Sequence, residues 1–251
     1  MGAIDLNADL GETVDGVPTA DDEAMFAVIS SASIACGGHA GDAVSLRTAV
    51  DRAARHGVAV GAHPSYPDRA GFGRLPMAMP DDDLTASITA QLEALIAAGG
   101  DVRYVKPHGA LYHAVSADPA VAAAVVRAVA ALSDRLGRAV PLLGLGGAGE
   151  RSARAAGIGF VAEAFLDRGY LPDGTLVPRG SAGALLADPD LVARRAVRLV
   201  TEGVVQATDG TTVPAEAASL CLHGDSPSAV AMARAVRAAL DDAGIAVKAP
   251  W

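Results

Sequence analysis

Seven short apolar segments recur along the chain, and an alanine-rich segment follows most of them. The apolar segments are AIDLNADL, ASIAC, VAVGAH, VRYVKPH, AVPLLGL, IGFVAEAF and ASLCLHG. The alanine-rich segments carry apolar residues at spacings of three and four, which predicts helices over 42–56, 81–98, 118–136, 150–156, 188–203 and 226–243. Such an alternation of strand and helix is typical of a parallel α/β fold.

Two parallel architectures fit this alternation, a closed barrel and a doubly wound open sheet. A barrel gathers its site from the carboxyl ends of many strands, whereas an open sheet concentrates it at one switch point. Polar residues follow six of the seven predicted strands, and only LGLGGAG after the fifth lacks them. We therefore favour a (β/α) barrel of seven strands, imperfectly closed. The chain shows no long linker or break in composition, so we expect one domain over 1–251.

Charge and composition exclude several classes of function. The formal net charge is -9 and basic residues are not clustered, which argues against nucleic-acid binding. The start MGAIDLNADL has no basic leader region, and charges or glycines interrupt the apolar stretches before they reach the length of a membrane span. We expect a cytoplasmic protein. Cys36 and Cys221 lack metal-type spacing, and Cys36 is interpreted as a buried thiol rather than a nucleophile.

Four histidines directly follow predicted strands and lie beside glycine or proline. They are His39 in CGGHAGD, His63 in VGAHPSYPD, His108 in VKPHGALYH and His223 in CLHGDSP. One such histidine is as often structural as functional, but four at equivalent points of successive units converge at one end of a barrel. The pattern therefore predicts a site. His56 precedes a glycine at a predicted helix end, where we expect it to cap the last carbonyls.

The first strand places Asp5, Asn7 and Asp9 on one face, and Glu12 follows it. A buried carboxylate costs several kcal/mol unless a cation pairs with it, so we expect these acids to meet Lys106, Arg168, a histidine or a metal ion. For Asp5, the deepest of them, a purely structural role stays open.

Carboxylates and imidazoles together suit a divalent metal, for which Asp9, His39 and His63 are the candidate ligands. No compact HExxH spacing supports it, so the metal stays open. Lys106 lies at the end of an apolar strand, where a buried stem would direct its ammonium group at an oxyanion or phosphate.

A loop far longer than usual follows the sixth strand and carries Glu163, Arg168 and Arg179. Long loops in compact domains are commonly binding loops. No Walker pattern is present and GLGGAGE does not complete GxGxxG, so nucleotide binding by this chain alone has weak support.

Six motifs together resemble a known family. In chain order they are IDLNADLGE, ISSASIACGGHAGD, VGAHPSYPDRAGFGR, VKPHGALYH, EAFLDRGYLPDGTLVPR and CLHGDSP. This series resembles the LamB/YcsF family, the A component of the prokaryotic ATP-dependent 5-oxoprolinase, from residue 4 to about residue 227. The chain departs from the family pattern at Gly38, where a bulky aromatic residue is more usual. We expect this glycine to open the pocket floor.

The resemblance implies a barrel related to sugar deacetylases and glycoside hydrolases. It also implies conversion of 5-oxo-L-proline, ATP and water to L-glutamate, ADP and phosphate, with Mg accompanying ATP and with separate B and C subunits. On that reading the candidate catalytic residues are Asp9, Glu12, His39, His63, Lys106 and His108. The candidate substrate-binding residues are Asn7, Glu163, Arg168, His223 and Asp225.

Two other functions stay open at this point. One is a stand-alone metal-dependent amidase or deacetylase that uses Asp9, His39 and His63 on the same barrel. The other is a noncatalytic component that only holds 5-oxoproline for its partners. The base that activates water is also open among His39, His63, Asp9 and Glu12.

Overall fold

A computed structural model describes residues 2–226 and 228–251 of the chain. Its strands are β1 (Ala3–Leu10), β2 (Thr13–Val14), β3 (Val17–Pro18), β4 (Ser31–Ala35), β5 (Ala59–His63), β6 (Val102–Val105), β7 (Leu142–Gly144), β8 (Phe160–Phe165), β9 (Val204–Gln206), β10 (Thr212–Pro214), β11 (Ser219–His223) and β12 (Ala246–Val247). Its helices are α1 (Asp22–Phe26), α2 (Ala43–His56), α3 (Asp81–Ala97), α4 (Gly109–Ala117), α5 (Pro119–Leu136), α6 (Ala148–Ala155), α7 (Pro189–Glu202) and α8 (Ala229–Asp242).

Seven parallel strands form a closed barrel in the order β1, β4, β5, β6, β7, β8 and β11, which confirms the predicted strand number. The ring closes where β11 pairs with β1, in register from Asp5 opposite Ser219 to Asp9 opposite His223. The ladder is thinnest between β6 and β7, where Val105 and Leu142 are the one registered pair. The barrel is therefore closed, and the expected imperfection is limited to the short pairing between β6 and β7.

All six predicted helices are present, with ends that differ from the prediction by at most three residues. Local signals fix their bounds, as at α5, where the Asp118 side chain caps the Ala120 amide and Gly137 ends the helix at φ 62°. The sequence did not reveal α1, or α4, which starts at a glycine and carries His113. Within the described residues no single helix is long and apolar enough to cross a membrane; α4 and α5 together meet that test but are bent by 112°.

The interior of the barrel is polar because alternate residues of β1 point inward. Asp5, Asn7 and Asp9 are all buried there. Among the described residues Asp5 meets no cation, contrary to expectation; it accepts hydrogen bonds from the hydroxyls of Ser30, Ser31 and Ser219 at 2.5 to 2.7 Å. Burial raises the pKa of Asp5 despite these bonds. Its role is structural, the one that the sequence left open.

Aromatic residues close the amino-terminal end of the barrel. The ring of Tyr104 fills the interior beside Gly61, where a Cβ atom would lie 2.2 Å from the ring. Trp251 stacks on Tyr104 with centroids 4.5 Å apart and donates from Nε1 to the Ser31 hydroxyl at 2.8 Å. The open end of the barrel is therefore the one at the carboxyl ends of the strands.

Candidate active site

A cavity of about 300 Å³ lies at the carboxyl ends of the barrel strands. Six residues predicted for the site line it: Asp9, His63, Lys106, His108, Arg168 and His223. Of the other lining residues, five have charged, polar or aromatic side chains and were not among the predicted site residues: Arg74, Tyr112, His113, Phe165 and Arg179. The remaining predicted residues Asn7, Glu12, His39, Glu163 and Asp225 do not line it, and all of them except Asp225 are buried behind its floor.

Lys106 is the centre of the cavity floor. Its Nζ atom lies 2.8 Å from Asp9 Oδ1, 3.1 Å from Asn7 Oδ1 and 3.3 Å from Glu163 Oε2, and it also contacts Cys221 Sγ at 3.1 Å. Burial alone would lower the pKa of Lys106, but the surrounding negative groups, Asp9 first, raise it well above its usual value. The lysine is therefore a fixed cation at the floor.

Asp9 connects this cation to the histidines. Its Oδ2 atom lies 3.3 Å from Nε2 of His63, while Oδ1 accepts from Lys106. Burial would raise the pKa of Asp9, but its interactions with His63 and Lys106 outweigh burial and hold the pKa well below the usual range. Asp9 is therefore ionised at neutral pH.

His63 and His108 form a pair whose proton positions follow from their backbone partners. Nδ1 of His63 lies 2.7 Å from the carbonyl oxygen of Lys106, and Nε2 of His108 lies 2.9 Å from that of Phe72. A carbonyl oxygen only accepts, so both of these nitrogens carry protons. The other two ring nitrogens, 3.0 Å apart, then both present lone pairs in the neutral rings. Their repulsion is relieved by a proton, a cation or a proton donor such as water that meets both lone pairs.

Glu12 and His39 form a second layer behind this pair. His39 Nε2 lies 3.0 Å from Glu12 Oε1, and the His39 ring stacks on that of His108 with centroids 3.6 Å apart. Burial raises the pKa of Glu12 and lowers the pKa of both imidazoles, His39 and His108, well below their usual value. The Nδ1 atom of His39 is buried without a hydrogen-bond partner among the described residues.

His223 reaches the cavity from β11. Asp167 fixes it, accepting from its backbone amide and from Nδ1 at 3.0 Å. The ring stacks on Phe165 with centroids 5.3 Å apart. Asp167 lies two residues after β8, in the long loop that the sequence indicates as a binding loop, but no specific role was predicted for it.

The residues fit a divalent cation in a different set from the predicted one. Asp9, His63 and His108 bring ligand atoms within 4.8 Å of one another, and so do Glu12, His39 and His108. The predicted set of Asp9, His39 and His63 is not one of these groups, because Nε2 of His39 is directed at Glu12, and it stays a prediction. In the first cluster the ring nitrogen that faces away from the cluster donates its N–H to a backbone carbonyl in both His63 and His108, as in metal-bound histidines. Lys106 competes with a metal for Asp9.

Two other sequence expectations are corrected. Gly38 does not open the pocket floor, because a Cβ there would lie 2.3 Å from Gln91 Oε1 and 2.5 Å from Ser65 Oγ. His56 does not cap carbonyls; its Nε2 contacts Glu23 Oε1 at 3.0 Å.

The fold and the site define a (β/α) barrel with a buried ammonium, carboxylate and imidazole cluster at the carboxyl ends of its strands. The chain belongs to the LamB/YcsF family, whose sequence profile matches residues 4–250.

Curated relatives and a solved structure match this chain over nearly its full length. The chain is 51% identical to the 5-oxoprolinase A component of Streptomyces griseus, over 98% of this chain and 99% of the relative, and 48% identical to an A component of the same enzyme from Agrobacterium fabrum, over 99% and 98%. A crystal structure of the lactam utilization protein from Thermus thermophilus superposes with a TM-score of 0.91 at 44% identity, covering 98% of this chain and 99% of that one. The peptidoglycan deacetylase PdaC from Bacillus subtilis shares the fold at a TM-score of 0.51 and 10% identity, covering 98% and 87%.

Proposed function

We propose that this chain is the A component of an ATP-dependent 5-oxoprolinase, and that it carries the groups that open the lactam ring of 5-oxo-L-proline. The observation that carries the proposal is the cluster of Lys106, Asp9, His63 and His108 on the floor of a small cavity. The names of the curated relatives and of the lactam utilization protein support the substrate class.

The reaction assigns tasks that these residues suit. A five-membered lactam is a stable amide, and phosphorylation of its oxygen makes the ring carbon electrophilic enough for water to attack. A base must then take a proton from that water as its oxygen bonds to the carbon, and the ring nitrogen must gain a proton as its bond to that carbon breaks. Ring opening leaves an acyl phosphate, and a second water hydrolyses it to glutamate and phosphate. The facing nitrogens of His63 and His108 are suited to the first transfer, and Asp9 stabilises the imidazolium that forms.

Two cationic side chains are suited to two different negative groups of the substrate. Lys106 lines the floor, where its ammonium group stabilises charge that develops on the lactam oxygen. Arg168 lines the wall and is suited to the ring carboxylate, since a guanidinium binds a carboxylate through two parallel hydrogen bonds.

The predicted residues behind the floor position the residues that line the cavity. Asn7 and Glu163 hold Lys106, and Glu12 holds His39, which stacks on His108. Asn7, Glu163, Glu12 and His39 are positioning residues in this proposal. His223 borders the cavity and is a further substrate contact.

Partner subunits B and C, ATP and its Mg are part of the proposal. The cavity of about 300 Å³ is at the lower end for ligand sites, a size that suits the lactam. We assign nucleotide binding to the partners because the chain carries no Walker pattern. The expected cytoplasmic location and single domain over 1–251 remain predictions.

The test is glutamate release from 5-oxoproline by this chain with partner subunits B and C, with and without ATP. We expect release that requires ATP and that falls at least about a hundredfold in His63→Ala. Equal turnover by His63→Ala would instead indicate a noncatalytic binding component.

A metal-dependent amidase is the second candidate, favoured by the cluster of Asp9, His63 and His108. A cation held there would polarise an amide oxygen and activate water. Amide hydrolysis by the chain alone, without ATP, and its loss on chelation with restoration by Zn or Mn would favour this candidate. The matching control uses a chelator with enough Mg added back for ATP. If glutamate release then stays unchanged, this candidate is excluded.

A further inference from the structure

Three arginines surround the mouth of the cavity, and one carboxylate serves them. Arg74, Arg168 and Arg179 all line the cavity. Asp225 Oδ2 lies 2.7 Å from Arg74 Nη2 but 3.7 Å from Arg179 Nη1. Among the described residues no carboxylate oxygen lies within 4.0 Å of the Arg168 guanidinium nitrogens. Positive charge therefore exceeds negative charge at the mouth.

Neutral acceptors hold Arg168. Its Nε atom donates to the carbonyl of Ala184 at 3.1 Å and its Nη2 atom to that of Val177 at 2.7 Å, and the residue is 3% exposed. Burial lowers the pKa of Arg168, and the nearby Arg179 lowers it further. A buried guanidinium without a counter-ion is unfavourable, so the arrangement fits a bound anion.

Arg179 is the least engaged of the three. Its long contact with Asp225 is shared with Arg74, and no hydrogen bond from its side chain is present within the described part of the chain. The pKa of His113, at the same wall, is lowered by burial and then by the charges of Arg168 and Arg179. Two neighbouring cations thus face one space. Of the two nearby carboxylates, Asp225 is shared with Arg74 and Asp167 is bonded to His223.

We propose that Arg179 binds a phosphoryl group carried on the lactam oxygen, beside a ring carboxylate bound by Arg168. The inference rests on the proposed function. In 5-oxoproline the carbonyl carbon and the carboxylate-bearing carbon flank the ring nitrogen, so a phosphoryl group and the carboxylate lie along one edge of the ring. One carboxylate uses one guanidinium, and the phosphoryl group uses the other. The subsite thus admits a lactam that has been phosphorylated outside this cavity.

Calorimetric titration of the isolated chain with inorganic phosphate tests the subsite. We expect wild type to bind phosphate, and Arg179→Gln to bind it about tenfold or more weakly. Asp225→Asn removes the competing carboxylate and should bind phosphate several-fold more tightly, a gain that damage to the fold would not produce. Arg154→Gln, an exposed arginine paired with Glu150 on α6, is the matched control and should equal wild type.

Phosphate binding that is absent from wild type, unchanged in Arg179→Gln, or equally weakened in Arg154→Gln would overturn the inference. Glutamate release with the partner subunits is measured in parallel. Turnover without phosphate binding overturns the subsite alone, whereas phosphate binding without turnover leaves the subsite and overturns the proposed function.

Discussion

The Nζ atom of Lys106 lies 2.8 Å from Oδ1 of Asp9, and both side chains are almost fully buried in the barrel. An ion pair in this setting is costly to break from one side, because the remaining charge stays buried and unpaired. The pair therefore holds the cavity floor in place as well as charging it.

Removal of this ammonium should destabilise the protein. We expect Lys106→Met to lower the free energy of unfolding by about 3 to 5 kcal/mol, since Asp9 and Glu163 would share the floor without a cation. Denaturant unfolding of the purified chain measures the change. Adding Glu163→Gln to Lys106→Met should recover part of the loss; a further loss would contradict this account of the floor.

The two facing histidines should be needed for turnover but not for folding. We expect His63→Ala and His108→Ala each to lower kcat for glutamate release by the complex by about 10² to 10⁴. His56→Ala is the control, because His56 lies at the end of α2 and contacts Glu23. Normal rates in both site variants would remove the pair from the reaction.

Gly38 should not accept a side chain in this chain. We expect Gly38→Ala to lower the free energy of unfolding by about 1 to 3 kcal/mol, because its Cβ would overlap Gln91, which bonds both backbone groups of Ser65. The double variant with Gln91→Ala should cost less than the sum of the single variants. Simple additivity, measured by denaturant unfolding, would show that the two positions are not in conflict.

Asp22 should make stability depend on pH. Burial raises the pKa of Asp22 from 3.8 to about 6, although it accepts a hydrogen bond from the Gly11 amide. The folded state then binds a proton more tightly than the unfolded chain, so the free energy of unfolding falls as pH rises from about 4 to 6. We expect Asp22→Asn to remove a fall of up to about 3 kcal/mol. The exposed Asp51→Asn is the control, and equal pH slopes in wild type and Asp22→Asn would refute the assignment.

The two thiols should be inert in the folded protein. Burial raises the pKa of Cys36 to about 12, and burial also raises that of Cys221 well above its usual value although Lys106 opposes it. We expect no reaction with Ellman's reagent at about pH 8 until the chain is unfolded, when both thiols react. Rapid labelling of native protein would contradict the buried environment.

The strand and helix alternation predicted the barrel because each unit is fixed by local signals. The same regularity placed Lys106, His63 and His108 in one site, since the carboxyl ends of parallel strands meet at one end of a barrel. The direction in which a side chain points was harder to predict from the sequence. His63 is the last residue of β5, whereas His39 comes four residues after the end of β4 and turns behind the floor to Glu12.

The mouth of the cavity was the least predictable part. Arg74 and Arg179 come from different long loops and meet at Asp225, and nothing in their local sequence encodes that meeting. Asp225 was expected to contact substrate; in the structure it pairs with these arginines, and the substrate contact stays a prediction. The short helix α4 was missed because a glycine at its start and its nine residues give a weak helical signal.

Trp251 is the only tryptophan of the chain, and it stacks under Tyr104 at the end of the barrel opposite the cavity. Its emission is thus a built-in optical reporter of whether the amino-terminal end of the barrel is sealed. Ligands that enter between the arginines should leave the Trp251 emission almost unchanged, whereas opening of the barrel should shift that emission to longer wavelength. The molecule thus supplies a label-free means of separating loss of ligand binding from loss of structure in every variant described above.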